Sequence, residues 1–143
     1  MGLGIVINCE QCGYEKSFTL GIGFSYYPQA VFYDKVDESG RAVGKPMLAS
    51  LVKDSKIRKE ALDLIAAGGT PGEYGHEMYG CPHCNHLCER FYFRIKAEEK
   101  FFEPEYKCSK CKRIMLRLSI DPDGRRLRWP CPLHAESKNC WLA

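Results

Sequence analysis

Six of the nine cysteines in this 143-residue chain fall into three pairs of one spacing: Cys9 and Cys12, Cys81 and Cys84, Cys108 and Cys111. A tetrahedral metal ion needs two thiolates delivered by one tight turn, whereas a disulfide framework rarely repeats a single short spacing. Metal therefore accounts for these cysteines better than cross-linking does. These turns, or knuckles, cut the chain into short strand-like pieces. The length suits one ordinary domain or two very small ones. Small units bury too little surface to fold comfortably alone, so local cores pinned by metal are expected.

Thiols available to metal imply a reducing compartment. The opening MGLGIVIN has no basic n-region and too short an apolar run for a signal peptide. No stretch of about 18 apolar residues is present to span a membrane. A cytoplasmic protein with no membrane association is expected. The formal charge of +3 falls to about zero once two dications are added and seven ligand thiols are ionised, so any attraction for nucleic acid would have to be local.

Leu3 to Ile7 reads as a strand entering the first knuckle, where Gly13 supplies a turn position that often needs positive φ. Residues 14–33 are aromatic and β-branched, interrupted by Gly21 and Gly23, and read as strands with a bend. Asp37 to Gly40 reads as the turn of a hairpin. One helix is predicted over about 54–67, because Ile57, Ala61, Leu64 and Ile65 share a face. Asp54 or Ser55 can cap it and Gly68 can end it. GGTPGEYG at 68–75 reads as a loop. Phe91, Phe93 and Ile95 alternate with Arg90, Tyr92, Arg94 and Lys96 as in a half-buried strand. Beyond the third knuckle, Ile114, Leu116, Leu118 and Ile120 give an apolar face opposite Arg113 and Arg117, with a turn at 121–124 and a return strand through Leu127 and Trp129.

Cys108 and Cys111 are followed, after 19 residues that read as a hairpin, by Cys131-Pro-Leu-His134. That is the spacing of a zinc ribbon with histidine in the last position. Comparable small sites bind zinc with roughly 10–16 kcal/mol, enough to hold a hairpin closed. The remaining pairs, Cys9 with Cys12 and Cys81 with Cys84, would share a second, all-cysteine zinc across a 68-residue insertion. Closing so long a loop adds only about 0.6 kcal/mol per doubling of length. Two other pairings stay open. Cys81 and Cys84 can join Cys108 and Cys111, leaving the first knuckle to the last, or the pairs can interleave in a cross-brace. Cys140 is an alternative to His134 as the final ligand. Cys88 reads as an ordinary buried cysteine, and His83 and His86 as solvent-facing.

The motifs CEQCG, CPHC, CSKC and CPLH resemble the zinc-ribbon superfamily, over about half the chain. The arrangement is also similar to small bacterial proteins with two such ribbons. That resemblance implies a fold more than a function, because ribbons serve transcription, ribosomes and protein assembly alike. Three functional classes fit these residues. A non-catalytic binding module can contact nucleic acid through a basic hairpin bearing Arg113, Arg117, Arg126 and Arg128, with an exposed aromatic such as Tyr92 stacking on bases. A protein-interaction adaptor can use the helix and the aromatic run 24–33. A thiol–disulfide enzyme is suggested by CPHC, which resembles the thioredoxin active site, but no βαβ unit surrounds it. Two full four-ligand sites leave no open position for zinc catalysis.

The expectation is thus an α+β, β-dominated protein with two zinc-ribbon units, residues 1–100 with a helix-bearing insertion and residues 101–143. Two Zn2+ ions are expected on Cys9, Cys12, Cys81, Cys84, Cys108, Cys111, Cys131 and His134, with no catalytic residues.

Overall fold

The computed structural model of the chain describes residues 2–9, 13–23, 26–118, 126–127 and 140–142. Its elements run β1 (Gly2–Asn8), β2 (Glu15–Gly21), α1 (Pro28–Val31), β3 (Lys35–Val36), β4 (Ala42–Gly44), α2 (Leu48–Leu51), α3 (Ser55–Ala66), β5 (Thr70–Gly80), β6 (Leu87–Ala97), β7 (Lys100–Phe102), β8 (Leu116–Arg117), β9 (Arg126–Leu127) and β10 (Cys140–Leu142). The fold is α+β and dominated by antiparallel strands, as the alternating sequence predicts. Helix is not confined to the one predicted segment, since the single turns α1 and α2 precede α3. Pro28 opens α1, where its fixed φ and missing N–H suit a first helical position.

Two compact units divide the chain, each drawn from separate stretches. One comprises Ile22–Gly75 and Phe91–Pro104, the other Gly2–Gly21, His76–Arg90 and Glu105–Ala143. The boundary expected at residue 100 falls inside Phe91–Pro104. There β6 and β7 form a hairpin, Ile95 opposite Phe102 and Ala97 opposite Lys100, that ties both sides of that position together.

The first unit has an aromatic core. Phe32 meets Tyr74 edge-on at 5.3 Å and Phe93 at 6.2 Å between centroids, and Phe91 lies over Phe93 at 6.3 Å. Such pairs add about 0.5–1.5 kcal/mol each beyond simple burial. Tyr92, on the other face of β6, is buried as well, only 2% exposed, and its hydroxyl donates to Glu103 Oε1 at 2.8 Å. It is therefore no exposed stacking platform. Helix α3 buries Ala61 and Ile65 on one face, and Asp54 caps it by accepting from the N–H groups of Lys56 and Ile57. After the helix, Gly69 is obligatory, because a Cβ there would stand 2.8 Å from the Leu64 carbonyl oxygen and 2.9 Å from Ile95. Between β3 and β4, Asp37 Oδ1 accepts from Ser39 N, Ser39 Oγ and Arg41 N, which builds the predicted turn.

Residues 70–75, read from their Gly and Pro content as loop, are instead the first half of β5. Tertiary contacts override the local signal. Tyr74 donates to the Tyr26 carbonyl at 2.6 Å and packs on Phe32 and Phe91, while Gly72 lies close against the backbone of Arg94. Pro71 is tolerated because it sits at the very start of the strand.

In the second unit, β1 and β2 pair from Gly2 opposite Gly21 to Asn8 opposite Glu15, a hairpin whose ends frame the first knuckle. Phe18 and Leu20 of β2 alternate with exposed Ser17 and Thr19, and they pack with Ile5, Ile7, Cys9, Met78 and Leu87 in one core cluster. Lys16 donates to the Leu87 carbonyl at 2.9 Å, and Thr19 N to Glu89 Oε2 at 3.0 Å. Neighbouring strands follow the order β6, β5, β2, β1, β10, β9, with β8 also on β5. Met78, Tyr79 and Gly80 of β5 are buried consecutively, as in a strand covered on both faces.

The apolar face predicted beyond the third knuckle is only partly inward, with Leu118 packed against the core cluster. Met115 is buried, whereas Ile114 and Leu116 are each 51% exposed. Met115 N donates to the Tyr106 carbonyl, and its sulfur receives the Cys88 thiol at 3.6 Å, so the polarizable thioether fills the space beneath the knuckle. The turn at 121–124, Ile120 and Trp129 lie outside the described residues.

Candidate metal centre

The second and third knuckles close around one point. Cys81 and Cys84 follow β5, while Cys108 and Cys111 sit in a turn flanked by the bridge between Lys107 and Ile114. The two turns meet because β8 pairs with the end of β5, Tyr79 opposite Arg117 and Gly80 opposite Leu116, with Leu118 N donating to the Met78 carbonyl at 2.8 Å. All four Sγ atoms lie within 4.8 Å of one another. Cys81 stands 3.3 Å from Cys111, and Cys84 3.5 Å from Cys108. Four sulfurs bound at ~2.3 Å around a tetrahedral ion would stand about 3.8 Å apart, so the tetrad has the dimensions of a thiolate metal site. This group of four cysteines can hold a metal ion.

Each turn exposes its two cysteines unequally. Cys81 and Cys108 are fully buried, Cys84 and Cys111 half-buried. Burial pushes the Cys81 thiol up, but the N–H groups of Cys84 and His83 and the facing thiols outweigh it and bring it down to about 7. The same balance lowers Cys108, where burial is overcome by the N–H groups of Cys111 and Lys110; Lys110 N lies 3.4 Å from the sulfur. Cys84 receives the His86 N–H, yet burial and the thiols of Cys108, Cys81 and Cys111 drive it up to about 12. Cys111 also rises, because burial and the thiols of Cys81 and Cys108 outweigh the Arg113 N–H. Two members are thus shifted toward the thiolate and two away from it. A dication at the centre supplies the positive charge that would let all four ionise.

The tetrad corrects the expected pairing. Cys81 and Cys84 join Cys108 and Cys111, not Cys9 and Cys12, because the β5–β8 register brings the second and third turns to one end. Cys9 is buried at the end of β1 and takes no part in this group. Cys12, Cys131, His134 and Arg128 lie outside the described residues. Cys88 is buried as expected, and burial raises its thiol. His83 is exposed and His86 half-buried. Of the aromatic run 24–33, Phe32 is core, whereas Tyr27 and Tyr33 are exposed. The CPHC motif lies in a turn between two strands, not at a helix N-terminus.

Exposed Lys107, Lys110, Lys112, Arg113 and Arg117 surround the third knuckle. Arg126 falls in β9. Among the described residues, no helix is long and apolar enough to cross a membrane. Comparison with protein-family models, curated proteins and solved structures returns no match.

Proposed function

We propose that the chain is a zinc-binding protein of zinc-ribbon type, in which Cys81, Cys84, Cys108 and Cys111 hold a structural Zn2+ and the centre serves binding rather than catalysis. The observation that carries this reading is the convergence of four sulfurs within 4.8 Å on two knuckle turns. Tetrahedral all-sulfur sets favour zinc or iron. Zinc, having no redox chemistry, needs nothing from its surroundings beyond geometry, and four protein ligands leave no open position for a substrate. The test is zinc content and colour. Wild-type protein should be colourless, and Cys108→Ser/Cys111→Ser should carry one zinc fewer per chain. Equal zinc in both proteins, or a red iron chromophore, would overturn the reading.

A polyanion such as single-stranded nucleic acid is the partner this surface favours. Five cations, Lys107, Lys110, Lys112, Arg113 and Arg117, are exposed within eleven residues around the knuckle, next to exposed Ile114 and Leu116. Each phosphate neutralised by such a charge lowers the logarithm of affinity by about 0.7 per tenfold rise in salt. Lys110→Glu/Arg113→Glu should weaken binding to a mixed-sequence oligonucleotide and flatten its salt slope by about 1.4. Binding that is independent of salt would point to a protein partner instead.

A further inference from the structure

Helix α3 does more than bury its core face. Arg58, Leu62, Ile65 and Ala66 follow one another at helical spacing, and they line one side of a cleft within the first unit. The other side comes from the chain flanking the β3–β4 hairpin, residues 32–35 and 45–50. The cleft measures about 890 Å³, which is the size of a small-molecule site. Much of its lining is apolar, with Phe32 buried, Met47 and Leu62 half-buried and Tyr33 exposed.

The charged side chains of the cleft are unbalanced. Lys35, Lys45 and Arg58 line it with a single acid, Asp34, and among the described residues none of these three cations is in an ion pair. Arg58 is also held in place, because its Nη1 donates to the carbonyls of Ala49 at 3.1 Å and Val52 at 3.2 Å. Those contacts engage one corner of the guanidinium. The Nε–Nη2 edge, whose parallel N–H groups match the two oxygens of a carboxylate or phosphate, makes no hydrogen bond among the described residues. An arginine fixed before its ligand arrives loses less entropy on binding. The stem of Lys35 is placed too, since a Cβ added at Gly44 would stand 3.2 Å from Lys35 Cδ. Tying α3 to the end of α2 accounts for the Nη1 contacts, but it uses neither the free edge nor the two lysines.

We propose that this cleft binds a small organic anion, a carboxylate or phosphate ester carried on a flat apolar body. Arg58 takes the oxyanion on its free edge, exposed Lys35 and Lys45 add positive charge, and the apolar body lies against Met47, Leu62 and the ring of Tyr33. Charge alone would hold any anion weakly, and apolar lining alone would not choose a sign; together they select ligands that carry both features. The cleft shares no residue with the cysteine tetrad, so the proposal does not rest on the zinc reading.

The experiment is calorimetric titration of the full chain, at fixed ionic strength, with 1-naphthyl phosphate, 1-naphthoate, inorganic phosphate and 1-naphthol. A naphthyl anion should bind at one site per chain, about tenfold more tightly than either inorganic phosphate or naphthol. Tighter binding of the phosphate ester assigns the cleft to that class, and tighter binding of naphthoate assigns it to carboxylates. Arg58→Gln and Lys35→Glu/Lys45→Glu should each weaken the preferred anion by about tenfold. Lys110→Glu/Arg113→Glu, at the third knuckle, should leave its affinity unchanged. The double lysine variant alters exposed side chains only, so it reads the site even if Arg58→Gln unfolds. The proposal would be overturned by naphthol binding as tightly as the anions, by no saturable binding of either anion, or by unchanged affinity in Lys35→Glu/Lys45→Glu. Weakening by the knuckle variant instead would equally overturn it. Zinc content measured on the same samples keeps the fate of the tetrad reading separate.

Discussion

At the scale of single residues, protonation governs the cysteines. Cys84 sits above its ordinary value of 9.0, so its contribution to the metal-free fold is present below 9.0 and fades as pH rises toward about 12. Cys81 is shifted the other way, and its contribution is present above 9.0 and lost as pH falls through about 7. A dication bound there would have to displace the protons that Cys84 and Cys111 retain, so affinity should fall at least about a hundredfold per unit of acidification, and more steeply below about pH 7, where Cys81 also keeps its proton. Chelator competition between pH 8 and pH 6 measures that slope, and a flat profile would mean that the thiols are not the ligands. Cys88 behaves differently. Burial holds its thiol protonated and the Met115 sulfur accepts from it, so iodoacetamide at pH 8 should leave it unlabelled in the folded chain while labelling it after denaturation. Peptide mapping reads that contrast. The pairs at 81/84 and 108/111, Cys88 as a core residue and Gly13 as a positive-φ position were legible in the sequence. Positive φ at Lys112 was not, since lysine does not favour it, and at Asn85 the one cue is asparagine's tolerance of that region. Lys112→Gly should consequently be neutral or stabilising by up to about 1 kcal/mol, whereas Gly13→Val should cost at least that much, as thermal denaturation would show.

At the scale of elements, the legible parts are those whose signals are local. α3 was readable because its apolar spacing, its cap and its terminating glycine all agree, and Asp54→Ala should cost about 1 kcal/mol in denaturant unfolding. The first half of β5 was hidden by Pro71 and Gly72, which signal a turn in isolation; contacts made by Tyr74 decide the matter. Beyond the third knuckle, alternation overstates the regularity of the strand, since Leu118 packs on the core but Ile114 and Leu116 do not. Ile114 and Leu116 looked like core, yet the space under the knuckle suits the unbranched Met115. Met115→Ala should therefore cost about 2–5 kcal/mol, and Leu116→Ala far less. A reversed order in equilibrium unfolding would restore the face predicted from alternation.

At the scale of the whole chain, the knuckles were legible and their partnership was not. Three identical spacings leave several pairings open, and the choice is made by β8, a strand of two residues that no sequence pattern would nominate. Its register on β5 brings the turns at 81–84 and 108–111 together and so defines the second unit around the tetrad. A metal ion held by the tetrad would add folding energy to a unit of this size. The most direct test is zinc-edge X-ray absorption on Cys9→Ser/Cys12→Ser, which keeps all four cysteines of the tetrad. One zinc per chain with a shell of four sulfurs at ~2.3 Å is the predicted result. A folded, reduced protein without zinc, or zinc bound through nitrogen and oxygen, would contradict it.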